Sequence, residues 1–175
     1  MSAQEGFALW LTGIPASGKS SITRELVKQL HARHVSVVVL ESDEMRKILT
    51  PAPTYSDEER SQFYRALVLI GALIIRNGVN VIFDATANKR AYRDQARQTI
   101  NKFVEAYVIC PQDICIQRDP KGIYAQAALK IATNVPGSQA AYEPPVNPEL
   151  TLDGQALPSL EAARIVDNLK QLLYI

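Results

Sequence analysis

The chain has little of what marks several large classes of protein. Only two of its 175 residues are cysteine and two are histidine. Cys110 and Cys115 have four residues between them, which matches neither a zinc site nor a disulfide framework. Both are expected as reduced, structural thiols. His31 and His34 fall near the end of the first helical pattern, where a surface position complementing the helix dipole is expected rather than a ligand role. Charge of one sign is also missing: 19 Lys and Arg against 18 Asp and Glu leave a formal net charge of +1. That removes any bulk electrostatic argument for nucleic acid or a membrane surface as partner, so an anionic ligand has to be held by local clusters. No apolar run approaches the ~20 residues of a membrane helix, and Met1 to Phe7 lacks the apolar region of a signal peptide. One cytoplasmic domain spanning residues 1–175 is the expectation.

What is present is an alternation of short apolar runs and helical periods. Phe7 to Thr12 reads as a buried strand ending at Gly13, and Ile22, Leu26, Val27 and Leu30 give the helix from Lys19 to about Arg33 its apolar face. Val35 to Leu40 reads as a second buried strand, and Leu49 to Tyr55 as a proline-containing loop. Ser56 followed by Glu59 has the form of a capping box opening a long helix that Gly78 closes. Val79 to Phe83 and Val104 to Ile109 read as further strands, separated by a helix from Lys89 to about Asn101. A short helix over Ile114 to Arg118 follows. Asp119 to Pro148 has no clean period, and Leu150 to Leu152 with Leu160 to Leu173 give a last strand and helix. Such alternation predicts a parallel sheet covered on both faces.

The strongest chemical signal is Gly13-Ile14-Pro15-Ala16-Ser17-Gly18-Lys19-Ser20, a match to G-x-x-x-x-G-K-[ST] between a buried strand and an amphipathic helix. Glycines at both ends let successive backbone N–H groups turn inward on phosphate oxygens, and the helix start adds its positive dipole end. Residues Gly13 to Ser21 are therefore expected to bind the nucleotide. Lys19 would reach the β- and γ-phosphates, and Ser20 would ligate magnesium. A GTPase switch shares this cradle, but the nearest approach to a guanine-reading motif, Asn88-Lys89-Arg90-Ala91, lacks the aspartate and lies too early. ATP with Mg²⁺ is the expected donor.

The second strand runs into Glu41-Ser42-Asp43-Glu44-Met45-Arg46, at the sheet edge where ligands of open parallel sheets gather. Asp43 is placed to prepare an acceptor hydroxyl or hold magnesium through water, with a helix N-cap as the plain alternative. Arg46, about one helical turn on, suits an anionic acceptor. Asp84, ending an apolar strand, resembles a Walker B carboxylate that holds magnesium through water.

Longer motifs carry a family resemblance. Leu9-Trp10-Leu11-Thr12-Gly13, the run from Cys110-Pro111 through Gln117-Arg118-Asp119-Pro120-Lys121-Gly122-Ile123-Tyr124, and Tyr142-Glu143-Pro144-Pro145-Val146-Asn147-Pro148-Glu149 together resemble adenylyl-sulfate kinases over nearly the whole chain. The resemblance implies phosphorylation of adenosine 5′-phosphosulfate on its ribose 3′-hydroxyl. It implies Asp43, Arg46 and Arg60 as acceptor residues, Tyr55 as the ring stacked on the acceptor's adenine, and Arg118 and Lys121 as nucleotide and acceptor contacts. It also implies a mobile lid at about 118–148 and a homodimer. Several positions depart from the family: Phe63 stands for an asparagine on the acceptor side, Val135 for a second stacking phenylalanine, and Thr133 for a lid lysine. Thr86-Ala87-Asn88-Lys89 replaces an Ile-Ser-Pro-Tyr turn. The alternatives are a kinase for another nucleotide-like or hydroxylated metabolite, or a nucleotide-binding switch or inactive homologue. The fold expected is a three-layer α/β/α P-loop nucleoside-kinase-like architecture with a five-stranded parallel sheet in order 2-3-1-4-5.

Overall fold

The computed structural model describes residues 5–175. Five strands, β1 (Ala8–Thr12), β2 (Val37–Glu41), β3 (Asn80–Asp84), β4 (Phe103–Ile109) and β5 (Leu150–Asp153), form one sheet in order β2-β3-β1-β4-β5. Every neighbouring pair is parallel. The order and the helices on both faces are those the sequence predicts.

Side chains alternate across a strand, so β1 feeds two cores. Ala8 and Trp10 join Phe83 of β3 and Phe63, Tyr64 and Leu67 of α3 (Asp57–Arg76), with α4 (Arg90–Thr99) completing that layer. Leu9 and Leu11 face the other way, onto Ile22 and Leu26 of α1 (Lys19–His31) and Ile165 and Leu169 of α7 (Pro158–Gln171). Each fully buried aliphatic side chain stabilises by roughly 1.5–3 kcal/mol. Trp10 is fully buried, stacks on Phe83 at 4.6 Å and donates its indole N–H to the Ala85 carbonyl at 3.0 Å. The tryptophan thereby ties β1 to the turn that leaves β3.

Three local expectations are revised. The second strand is an edge strand, hydrogen-bonded only to β3, and Val38 and Val39 are 36% and 37% exposed rather than buried. Two short helices, α2 (Ser42–Leu49) and α6 (Ile123–Ala128), appear where no helix is predicted. The capping box is half formed: Ser56 Oγ accepts from the Glu59 N–H, but the Glu59 carboxylate reaches past it to the Thr54 and Tyr55 N–H groups. As expected, both histidines are exposed and both thiols are free and buried. Among the described residues no helix is long and apolar enough to cross a membrane.

All five strands end on the same edge, so Thr12, Glu41, Asp84, Ile109 and Asp153 mark one rim of the molecule. The motifs singled out in the sequence converge there.

Candidate active site

The cradle forms between β1 and α1. Gly13 has φ 150°, Ala16 φ 61° and Gly18 φ 109°, so the loop turns through left-handed conformations three times in six residues. Lys19 is 8% exposed, and its ammonium folds back over the loop to donate to the carbonyls of Gly13 and Ile14, both at 2.9 Å. Burial pushes its pKa below the ordinary lysine value, opposed by the carboxylates of Asp84 and Asp43. A cation held this way, among inward-turned amides, is placed for phosphate oxygens.

Gly13 to Ser21, Glu41, Asp43, Asp84, Arg118 and Lys121 belong to one region, a cleft of about 530 Å³ lined by residues from the cradle, the end of β2, the end of β3 and the loop after α5 (Gln112–Arg118). Gly13 and Ile14 close the loop at its base without lining the cleft. Asp43 lies in the first turn of α2, whose N-cap is Glu41 and has no side-chain cap bond, so the helix-cap alternative does not describe it. Its carboxylate instead meets Lys121 Nζ at 2.5 Å, and Lys121 also reaches Glu41 at 3.2 Å. Arg118 Nη1 donates to the Gly154 carbonyl at 2.8 Å, on the opposite flank.

Asp84 is 5% exposed at the end of β3, beside Glu41 across the strand pair. Burial raises its pKa, opposed by the Lys19 charge and a hydrogen bond from Ser20. A buried carboxylate beside a hydroxyl, at the mouth of a phosphate cradle, is the donor set a hard dication takes together with phosphate oxygens. These residues therefore fit magnesium.

Of the expected acceptor residues, Asp43 and Lys121 line the cleft, whereas Arg46, Tyr55, Arg60 and Phe63 form a second cluster outside its lining. The Arg46 guanidinium lies 3.9 Å above the Phe63 ring and 5.1 Å from the Tyr55 ring, and Nη1 reaches Glu59 at 3.3 Å. Arg60 donates to the Tyr55 carbonyl at 3.1 Å, to Asn88 Oδ1 at 3.1 Å and to the Asn134 carbonyl at 2.6 Å. Tyr55 bridges the two arginines with its ring and holds φ 54°, a strained value for a bulky residue. The ring of Phe63 is 1% exposed, so it is a platform under Arg46 and not a surface that a ligand touches.

The segment after α5 is docked on the cradle. Tyr124 donates its hydroxyl to the Pro15 carbonyl at 3.0 Å, and Gly137 packs on Ile14. Val135, 5% exposed, joins Cys110, Cys115, Tyr124 and Ala127 in a small apolar cluster, while Thr133 is exposed. Two residues essential to this geometry were not predicted. Gly154 lies so close to the cradle that a Cβ there would sit 2.0 Å from the Ser17 carbonyl oxygen; in sequence, Asp153-Gly154 signals only a turn. Asn88, 4% exposed, is bonded to Arg60; in sequence it falls in an incomplete guanine-reading match and in a turn that departs from the family, and neither gives it this role.

A parallel sheet in this order, a phosphate cradle at its carboxyl edge and an acid on the facing wall define a P-loop phosphotransferase. The chain belongs to the adenylyl-sulfate kinase family: the family model described as adenylylsulphate kinase matches residues 5–153. It is 36% identical over 172 residues to a probable adenylyl-sulfate kinase of Pyrococcus abyssi, covering 98% of this chain and 99% of that one. It is likewise 36% identical over 174 residues to an adenylyl-sulfate kinase of Microcystis aeruginosa, covering 98% and 96%. Among solved structures, the Mycobacterium tuberculosis APS kinase in complex with AMPPNP and APS superposes with a TM-score of 0.89 at 30% identity, covering 95% of this chain and 98% of that one.

Proposed function

We propose that this chain transfers the γ-phosphoryl group of ATP to the 3′-hydroxyl of adenosine 5′-phosphosulfate. The observation that carries the reading is the shared cleft: the cradle and the Asp43 carboxylate line the same cavity, and a pair of buried arginines stands behind the acceptor wall. The relative solved with AMPPNP and APS supports the choice of both substrates.

In this mechanism the loop amides and Lys19 hold the β- and γ-phosphates, exchanging the bonds Lys19 now makes to Gly13 and Ile14 for phosphate oxygens. Magnesium, when bound with the nucleotide, would supply positive charge that offsets the charge of the phosphates. Ser20 would hold it directly, and Asp84 through water. Asp43 accepts the proton of the acceptor hydroxyl, which requires Lys121 to leave it first. Arg46 and Arg60 hold the anionic end of the acceptor, and Tyr55 offers the exposed edge of an aromatic ring to its base. Arg118 and Lys121 would complete the donor and acceptor contacts, and the segment at about 118–148 would act as the lid that excludes water.

A second reading has its own support. Phe63 is buried and Val135 is packed into the apolar cluster, so neither presents a group that reads a nucleobase. A kinase for a different anionic, hydroxylated metabolite would need the same two arginines and none of the base contacts. Incubation with magnesium-ATP, with and without adenosine 5′-phosphosulfate, followed by anion-exchange chromatography separates the two. A more strongly retained product at catalytic turnover is expected. Its absence from protein that binds ATP would overturn the acceptor assignment.

A further inference from the structure

Arg60 is aimed by a residue that belongs to neither the cradle nor the acceptor motifs. The Asn88 carboxamide is bonded on both ends: Oδ1 accepts from Arg60 Nη1 at 3.1 Å, and Nδ2 donates to the Ala141 carbonyl at 3.1 Å. Its own carbonyl accepts from the Glu143 N–H at 2.7 Å. Only this orientation of the amide works, because the flipped one would set its NH₂ against the Arg60 N–H and its oxygen against the Ala141 oxygen. The turn that presents it is equally fixed. Ala87 holds φ 43°, donates its N–H to the Tyr64 hydroxyl at 3.0 Å, and gives its carbonyl to Arg93.

The consequence falls on the guanidinium. A guanidinium has five donors in a rigid fork. Tyr55 takes the Nε–H, and Asn88 and Asn134 each take one N–H from a different terminal nitrogen. One N–H on each terminal nitrogen is left, a donor for an oxygen of a phosphate, sulfate or carboxylate. Without Asn88 the Nη1 end loses its anchor, and only the bonds to the Tyr55 and Asn134 carbonyls still hold the fork.

We propose that Asn88 is a positioning residue for acceptor binding: it sets the Arg60 fork and links that setting to the segment at 141–143. The inference rests on the reading that Arg60 holds the acceptor's anionic end. It implies that acceptor affinity, and not nucleotide affinity or the transfer step, depends on this buried amide.

The test measures KM for adenosine 5′-phosphosulfate, KM for ATP, kcat and melting temperature for Asn88→Leu, Asn88→Asp, Arg60→Ala and the double variant Arg60→Ala/Asn88→Leu. Asn88→Leu should raise the acceptor KM by about tenfold, equivalent to ~1.4 kcal/mol, with the ATP KM and kcat within about twofold. Asn88→Asp keeps an acceptor for Arg60 but sets a carboxylate beside the guanidinium and an oxygen against the Ala141 carbonyl, so the acceptor KM should rise at least as far as in Asn88→Leu. In the Arg60→Ala background, Asn88→Leu should add nothing to the acceptor KM, because the group it positions is absent. Equal acceptor KM in wild type and both single Asn88 variants, with Arg60→Ala impaired, would overturn the inference alone. An unchanged acceptor KM in Arg60→Ala would instead overturn the assignment of Arg60. If Asn88→Leu does not fold, the comparison of Asn88→Asp with wild type decides: an acceptor KM within about twofold of wild type there contradicts the proposal.

Discussion

The two walls of the cleft are made of different materials. The donor wall is one contiguous stretch, Gly13 to Ser21, shaped mainly by backbone groups oriented by three left-handed residues. The acceptor wall is assembled from side chains on α2, α3, the turn at 86–88 and the segment after α5, and its charged groups are set by cation–π contacts and buried amides. A backbone site tolerates side-chain drift as long as its glycines and lysine stay. A side-chain site changes whenever any one of its supports changes. The positions read as departures from the family, Phe63, Thr133, Val135 and the turn at 86–89, all lie outside the cradle stretch.

The largest expected effect tests that division directly. Asp43→Asn should lower kcat by ~100-fold or more through loss of the general base, while calorimetric titration shows ATP binding unchanged. Loss of ATP binding in this variant would mean the walls are not separable. Gly154→Ala attacks the opposite wall, since the new Cβ would lie 2.0 Å from the Ser17 carbonyl and 3.0 Å from Cys110 Cβ. Overpacking there should cost about 1–3 kcal/mol, a drop of several degrees in melting temperature. ATP affinity should fall with it, and the acceptor KM should not. A variant with wild-type ATP affinity would show that the cradle does not depend on this close approach.

The same contrast explains what was legible in the sequence. The parallel sheet and the cradle were legible from local pattern, because a contiguous motif between a strand and a helix carries its own geometry, and the strand order was legible together with the family resemblance. Asp43 and Asp84 were legible as acids at strand ends. The helix α2 was not predicted: Met45, Ile48 and Leu49 have helical spacing, but a run of eight residues ending at a proline-containing loop is too short for the period to stand out. The helix α6 was hidden for a related reason: Ile123–Ala128 is a single short run rich in alanine that is stabilised by packing on Pro15, Cys110 and Val135. Asn88 and Gly154 matter through partners 28 residues or more away, and no local signal announces them. The exposure of Val38 and Val39 depends on which strand lies at the sheet edge, a property of the assembled sheet and not of the run Val37–Leu40.

A smaller effect sharpens the acceptor side. Phe63→Leu keeps an apolar filler but removes the ring 3.9 Å beneath the Arg46 guanidinium. A buried cation–π contact contributes ~0.5–2 kcal/mol, so the acceptor KM should rise roughly two- to thirtyfold. The ATP KM should stay constant. If kcat falls and the acceptor KM does not, the ring supports packing around α3 and not the aim of Arg46.

The smallest effect concerns pH. Backbone amides of the cradle do not titrate, but the scaffold beneath the acceptor wall is braced by ion pairs: Arg93 with Glu105 at 2.6 Å, and Arg97 with Glu149 at 2.6 and 2.8 Å. Burial alone would raise the pKa of Glu149, but hydrogen bonds from Arg97 and from the Glu105 N–H outweigh it and hold the carboxyl below the usual glutamate value of 4.5. A depressed folded-state pKa contributes stability that is fully present above the unfolded value and is lost as pH falls through the folded one. Glu149→Gln should therefore melt lower than wild type near neutral pH, by about 2–4 °C for an effect near 1 kcal/mol. The gap should close on acidification below the folded pKa, because wild type loses the same charge there. Glutamine can still accept from the Glu105 N–H, so the variant isolates the charge from the shape. A gap that persists unchanged into acid would assign the role of Glu149 to packing, and the brace under the acceptor wall would then be as indifferent to pH as the cradle opposite.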